Sequence, residues 1–559
     1  MFKRNWKIIS LAILGAVFFV VYLYLYLPKA PKYPNYLILN QPDESINYFF
    51  IRELALNNRF GLPEPLSGVV ASQVHPRSTT VVHGAIVPIG FPGVIVFFGL
   101  LTKLLVKIFG IGNFNLLAAM LTPLIAAITP LFFYGFLRRI WDDCGAWLSA
   151  ALLFILPPWW YYASRPFQHN TLLVFLIVAG IYCYAVAKER GDNRSHSELA
   201  CLSGRQVSES QGMPKRVRHD GVTTFLSGLF LGLAVYVRPS EILWLSIFCI
   251  YGLVMARRRW QWRDYVACGV GLALTAILFF TTQTAFYGSA MGSGYVRPAA
   301  DGSAGIITSG PQGMATLKAI FLPFGFHPVN ILRNFWNYFF NLFGVWAILA
   351  VAGWGLAVTR CRLGAGFTIM AIFLLIFYGS WDFYDNLLRA PSIGTSYVRY
   401  FMPIYVLGLP FLSFFLLWLW QKKIIFKITA VILFLSLLVN SIGAVFAPLE
   451  GLSAVKATVA QYDEWREKIY VLTENNAIIV TRYSDKYLFP GRKIIPGWEL
   501  AEQKTAIVLL ARQGWPVYLY DLKLTEKEER VWQEFLLSAN LKLSLPLAGW
   551  ENLELRKIE

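Results

Sequence analysis

The sequence predicts an α-helical polytopic membrane protein, with about eleven transmembrane helices and additional amphipathic helices at the outer surface, ending in a small C-terminal extracytoplasmic α/β domain. Three observations carry this reading. Apolar residues make up 56% of the 559 residues and charged residues only 15%, and the mean hydropathy of +0.51 is too high for a soluble globular chain. Apolar runs long enough for a hydrocarbon core of ~30 Å recur between residues 6 and 446. The basic residues fall in short clusters between these runs, so the net charge of +18 reflects a positive-inside bias and not a nucleic-acid surface.

The predicted crossings are 6–27, 114–137, 146–162, 171–187, 222–237, 241–255, 265–286, 336–358, 365–378, 397–420 and 424–446. Lys3 and Arg4 precede the first and Lys7 lies at its start, which puts the N terminus in the cytoplasm. No small-residue cleavage site precedes Pro28, so this run reads as an uncleaved anchor. With these crossings, Arg138 and Arg139, the 188–218 cluster, Arg257, Arg258, Arg259 and Arg263, Arg360 and Arg362, and Lys422, Lys423 and Lys427 all share the cytoplasmic side. That agreement requires the apolar stretch 86–109 not to cross. Pro88 and Pro92 near its start, and Lys103 and Lys107 on one helical face, suit a helix lying along or dipping into the outer surface, with an ordinary span as the alternative.

The outer face then holds 28–113, 164–170, 287–335, 381–396 and the tail. The expected domains are a membrane domain, 1–447, with 28–113 as its working loop, and a small α/β domain, 448–559. In the tail, strand-like runs at 477–480 and 517–520 alternate with helical patterns at 499–513 and 525–539. Cys144, Cys201 and Cys361 map inside and Cys183, Cys249 and Cys268 to spans, which leaves no external disulfide to expect. The six histidines, His75, His83, His169, His196, His219 and His327, form no local metal-ligand motif.

Asp43 and Glu44 stand out because they are adjacent acids just beyond the first span. They follow Pro42 and lead into 45–57, where Ile46, Phe49, Phe50 and Leu54 recur at helical spacing. The acids thus open an amphipathic surface helix, where Asp serves as an N-cap and negative charge suits the helix dipole. A carboxylate oriented in this way can also act as a general base. Trp159, Trp160, Tyr161 and Tyr162, before the turn 164–170, read as an interface belt, with stacking on a sugar as the other reading.

The order of first span, outward Asp43-Glu44, amphipathic segment, and a stretch with Pro88, Pro92 and Gly93 ending in Phe109-Gly110 resembles the membrane glycosyltransferases of superfamily C. Similar elements are Pro157-Pro158 with Ser164-Arg165 beyond, and Ser396-Tyr397-Val398-Arg399-Tyr400-Phe401-Met402-Pro403 opening a late span. The likeness covers 6–446 and points to the protein mannosyltransferase and aminoarabinose transferase group. It implies an enzyme that takes a sugar from a polyprenyl-phosphate carrier on the extracytoplasmic face and transfers it, with inversion, to the hydroxyl of a lipid, glycan or protein acceptor. Carried onto this chain, Asp43 is the catalytic base and Glu44 its supporting neighbour. The leaving phosphate needs cations and hydrogen-bond donors, for which Arg399, Tyr400 and Arg238 are the first candidates. Arg238 has a competing role as the ion-pair partner of Glu241. Arg165, Arg389, Arg297 and His327 are further candidates of the same kind. His75 and Arg77 occupy the place of a family His-Pro or Pro-Pro element, although Arg77-Ser78-Thr79 departs from it; His83 is a further candidate, with a solvated surface histidine as the other reading. The turn 164–170 lacks the acid that relatives often carry there, which weakens any expectation of a second acid.

Other classes of function remain open from sequence. A transporter or flippase of a lipid-linked or anionic substrate would call for internal repeats and midplane charges. A non-catalytic scaffold would use the tail as its working part. Two adjacent carboxylates without a third acid make a poor Mg²⁺ or Mn²⁺ site, so no cofactor is expected and a divalent metal is the less favoured alternative.

Overall fold

The computed structural model describes residues 2–26, 36–90, 92–190, 221–256, 260–292, 322–358, 362–383 and 389–559. Arg297, Arg257, Arg258, Arg259, Arg360, Cys201, Cys361, His196, His219 and nearly all of the 188–218 cluster lie outside the described residues. Helix occupies each of the eleven predicted crossings. In chain order the helices are α1 (Phe2–Tyr26), α2 (Pro42–Arg52), α3 (Gly93–Phe109), α4 (Phe114–Ala119), α5 (Leu121–Ile140), α6 (Asp143–Ile155), α7 (Pro157–Ser164), α8 (His169–Arg190), α9 (Gly221–Val237), α10 (Ile242–Ala256) and α11 (Trp262–Tyr287). They continue with α12 (Pro328–Phe335), α13 (Leu342–Ala357), α14 (Arg362–Gly379), α15 (Ser396–Tyr400), α16 (Met402–Trp420) and α17 (Ile424–Val445). Among the described residues seven helices are long and apolar enough to cross a membrane, or eight if α6 and α7, bent by 52°, form one span. The chain is a multi-pass membrane protein.

The chain divides into two compact units. The first comprises 1–27, 119–278 and 306–454. Its helices approach closely at small residues, as lipid-embedded bundles must when no hydrophobic effect drives helix against helix. A Cβ at Gly228 would lie 2.1 Å from the Cys268 carbonyl oxygen, and one at Gly353 would lie 1.9 Å from that of Phe411. At the start of α6, Asp143 binds Lys7 of α1 at 2.7 Å and accepts from the Tyr134 hydroxyl at 2.6 Å.

The second unit comprises 28–118, 279–305 and 455–559. Strands β1 (Leu62–Pro63), β2 (Thr79–Val82) and β3 (Ala85–Pro88) form an antiparallel sheet in the order β1-β3-β2. Val82 pairs with Ala85 across a two-residue turn in which His83 and Gly84 have φ of 49° and 76°, the left-handed pair that a tight hairpin demands. The stretch 86–109 is therefore not a single helix. Its first residues are strand β3, and only Gly93–Phe109 is helical.

The tail has the predicted α/β character. After α18 (Leu452–Leu472) come β4 (Ile478–Val480), α19 (Asp485–Leu488), β5 (Lys493–Ile495), α20 (Ala501–Arg512), β6 (Val517–Leu522), α21 (Glu526–Leu537), β7 (Ala548–Trp550) and β8 (Leu553–Ile558). The sheet order is β5-β4-β6-β8-β7, parallel across β5, β4 and β6 and antiparallel at β8 and β7. Successive strand residues face opposite sides. Ile478, Val480, Val517 and Leu519 pack with Ile507, Leu510, Trp532 and Leu536 of α20 and α21, whereas Ile479, Tyr518 and Tyr520 pack with Ile469 of α18 and with Tyr487 and Leu488. Leu66, Val70 and Val74, far earlier in the chain, belong to the first of these cores.

Candidate active site

Each unit carries a cluster of the predicted site residues. In the second unit the cluster begins at the N terminus of α2. Pro42 takes the first helical position, where its missing N–H costs nothing, so the N-cap is Gln41 with φ −109° and ψ 148°. The expectation that Asp43 caps the helix is corrected here. Glu44 does the capping, accepting from the Gln41 backbone N–H at 3.1 Å, and it is fully buried. Asp43, half-buried, instead receives the Ser78 hydroxyl at 2.6 Å. On the same helix, burial pushes the Tyr48 phenol up to about 12, so it stays neutral and donates to Asn115 Oδ1 at 2.6 Å.

The turn that presents Ser78 is braced from several directions. His75 Nδ1 lies 2.9 Å from the Pro76 carbonyl oxygen, to which the Thr79 hydroxyl also donates at 2.6 Å. Arg77 is bound by Asp485 of the tail: its backbone N–H donates to Oδ2 at 2.9 Å and its Nε to Oδ1 at 2.8 Å. His75 thus serves the turn, while His83 stands exposed at the hairpin tip.

In the first unit, Arg238 follows the last residue of α9 and is almost entirely buried. Its Nε pairs with Glu241 Oε1 at 3.0 Å, and its terminal nitrogens donate to Asn170 Oδ1 at 3.2 Å and the Tyr378 hydroxyl at 3.1 Å. Its guanidinium lies 4.6 Å from the centre of the Tyr400 ring, which stacks on Tyr378 at 4.5 Å. The ion pair with Glu241 anticipated in the sequence is therefore present. Arg399, on the short helix α15, donates to Gln168 Oε1 at 3.2 Å and to the Ser396 hydroxyl, and it lies within electrostatic reach of Arg238. Arg165, fully buried in the turn before α8, donates to the Tyr161 hydroxyl at 2.7 Å. The cluster thus gathers Arg238, Arg399 and Tyr400, with Gln168, Asn170 and Tyr378, which the sequence did not single out. Arg389, at φ 50°, and His327 are exposed, and among the described residues neither joins it.

The expected interface belt is also corrected. Trp159, Trp160, Tyr161 and Tyr162 are buried inside the protein. The Tyr161 hydroxyl donates to the Glu450 carbonyl at 2.8 Å, and that of Tyr162 lies 3.1 Å from the Ile393 carbonyl. The two tyrosine hydroxyls find protein partners instead of the lipid headgroup layer. Among the described residues no three His, Cys, Asp or Glu side chains come together as a metal site.

This architecture shares its fold with solved structures of an archaeal oligosaccharyltransferase. The chain superposes on the archaeal oligosaccharyltransferase AglB from Archaeoglobus fulgidus, solved in complex with an inhibitory peptide and a dolichol-phosphate, with a TM-score of 0.56 at 12% identity over 93% of this chain and 70% of that one. The structure of the A. fulgidus oligosaccharyltransferase tethered to an acceptor peptide gives a TM-score of 0.54 at 12% identity, over 99% and 74%. ArnT from Cupriavidus metallidurans bound to undecaprenyl phosphate covers 99% of this chain and 98% of its own at 12% identity, but its TM-score of 0.49 falls below the level that implies a shared fold. No protein-family model and no curated protein sequence matches the chain.

Proposed function

We propose that the chain is an integral membrane glycosyltransferase that moves a sugar from a polyprenyl-phosphate carrier to an acceptor hydroxyl on the extracytoplasmic face, inverting the anomeric centre. The observation that carries the reading is Asp43: in a chain with an oligosaccharyltransferase fold, a half-buried carboxylate that accepts from the Ser78 hydroxyl opens α2, while its neighbour Glu44 caps the helix. The solved complex with dolichol-phosphate supports a lipid-phosphate carrier as the donor class.

Asp43 removes the acceptor proton as the acceptor oxygen attacks C1 of the sugar. The bond from C1 to the phosphate oxygen breaks with its electron pair, and the carrier leaves as its phosphate. Attack opposite to the leaving group inverts C1. Arg238 and Arg399 suit the departing phosphate because two buried guanidiniums within reach of one another repel, and an anion touching both relieves that repulsion. Tyr400 lies against Arg238 and adds a phenolic donor.

The test is sugar transfer from radiolabelled polyprenyl-phosphate hexoses by wild type and Asp43→Asn at equal abundance. The expected loss is at least ~100-fold in kcat, the range of a positioned general base. Equal activity of the two forms removes Asp43 from the chemistry.

A further inference from the structure

Asp485, Arg77 and Ser78 connect the tail to the carboxylate assigned as base. Asp485 lies at the start of α19, in the connection that follows the carboxyl end of β4, and is 1% exposed. In parallel α/β sheets this is where ligands ordinarily bind; here the place is taken by a segment of the same chain. Both oxygens of Asp485 are used on Arg77, one by the backbone N–H and the other by the guanidinium. Arg77 also donates to the Tyr483 carbonyl at 3.0 Å, and its guanidinium lies 5.6 Å from the centre of the Tyr483 ring. The clamp therefore fixes main chain as well as side chain, one residue before Ser78.

Ser78 needs that support. Its φ is 59°, a left-handed conformation that a residue with a Cβ adopts only when its surroundings impose it. Its carbonyl accepts from the Ile89 N–H at 2.9 Å, and its hydroxyl donates to Asp43 Oδ1 at 2.6 Å. A second tie runs parallel to the first: Lys493 of β5 donates to both oxygens of the buried Glu64 at 2.8 Å. Leu66, Val70 and Val74 between these ties lie in the core of the tail sheet.

We propose that the C-terminal domain is a positioning part of the active site, in which Asp485 clamps Arg77 so that the Ser78 hydroxyl orients the Asp43 carboxylate. The inference rests on the reading of Asp43 as general base. Ser78, Arg77 and Asp485 are positioning residues, because none is assigned a contact with substrate. A carboxylate that loses an orienting donor samples other rotamers more freely, and misplacing a catalytic group by an ångström costs up to ~100-fold.

The experiment measures kcat and KM for transfer from a radiolabelled polyprenyl-phosphate hexose by Ser78→Ala, Ser78→Gly, Asp485→Asn and the Ser78→Ala/Asp485→Asn pair, beside Asp43→Asn. Expected are a roughly tenfold or greater fall in kcat for Ser78→Ala with KM unchanged, the same fall for Ser78→Gly, which removes the hydroxyl while tolerating the left-handed backbone, and no further loss in the double variant, since both changes break one chain of contacts. Ser78→Ala removes a single half-buried hydroxyl and keeps the question open to test even if Asp485→Asn fails to fold. Wild-type kcat in Ser78→Ala, with Asp43→Asn inactive, overturns the positioning role and leaves the base assignment standing. Wild-type activity in Asp43→Asn overturns both.

Discussion

Replacing Arg238 by Met separates the two roles that the guanidinium can have. In the fold, Arg238 neutralises Glu241, which is fully buried. Removing it strands that carboxylate, a change that costs 3–5 kcal/mol at a typical buried pair. Glu241 keeps the Tyr378 hydroxyl at 2.9 Å and the Trp244 indole N–H as donors, which places the loss near the lower end, about 3 kcal/mol. Arg238→Met in detergent should therefore unfold several degrees below wild type. The double variant Arg238→Met/Glu241→Gln removes both charges and should recover most of the difference, because the two side chains share one interaction. Transfer should behave otherwise: both variants should lose roughly tenfold to hundredfold, the size of one charge-assisted contact to the leaving phosphate. Thermal unfolding followed by tryptophan fluorescence, with the radiolabelled transfer assay on the same samples, reads both quantities. If the double variant regains activity along with stability, Arg238 does no more than hold Glu241. If the single variant unfolds no earlier than wild type, the ion pair contributes nothing to the fold.

Acid should loosen the tail. Burial pushes Glu474 up, but hydrogen bonds from Tyr518 and Lys557 outweigh it and hold the carboxyl below the ordinary 4.5. Burial likewise opposes, and the Thr525 and Arg482 contacts outweigh it, at Glu528, which also sits below 4.5. A depressed carboxyl contributes stability above its unfolded value and loses it as pH falls through its folded value, so the unfolding temperature should drop below about pH 4.5, and Glu528→Gln should flatten that drop. Asp521 has the opposite sign, because burial raises it despite Arg482, and its contribution fades as pH rises through its folded value. EDTA should leave transfer unchanged, since Asp43 and Glu44 gather no third acid, histidine or cysteine among the described residues; loss of activity restored by Mg²⁺ or Mn²⁺ would refute this.

Hydropathy was enough to place helix in every predicted crossing, because a span must satisfy its backbone internally and be apolar throughout. The tail was legible from its alternation, with the strand expected at 477–480 found at Ile478–Val480. Hydropathy alone could not separate strand from helix in 86–109. The finer signal was β-branched Thr79–Val82 before His83-Gly84, which marks a hairpin. The capping error had a local cause as well: Pro42 prefers the first helical position, which moves the cap back to Gln41. The aromatic run 159–162 has residue types that suit an interface and a packed interior equally, so sequence does not separate the two, and the structure buries all four.

Ser78 and Asp485 could not have been found by any reading confined to neighbours in sequence. Ser78 lies 35 residues from Asp43, and Arg77 lies 408 from Asp485. Strands of two to four residues, such as β1, β2 and β3, are too short to be stable alone. Their support is the shared core of Leu66, Val70 and Val74 with the tail sheet, closed by the Glu64–Lys493 and Arg77–Asp485 pairs. A tail that only covered the membrane part would have no need to fix the backbone of Arg77 or to hold Ser78 in a left-handed turn. Backbone strain of that kind persists where the surroundings over-determine it, and functional sites are where it concentrates. Here its beneficiary is one carboxylate oxygen of Asp43, which is the physical reason to assign the tail to the chemistry and not merely to the architecture.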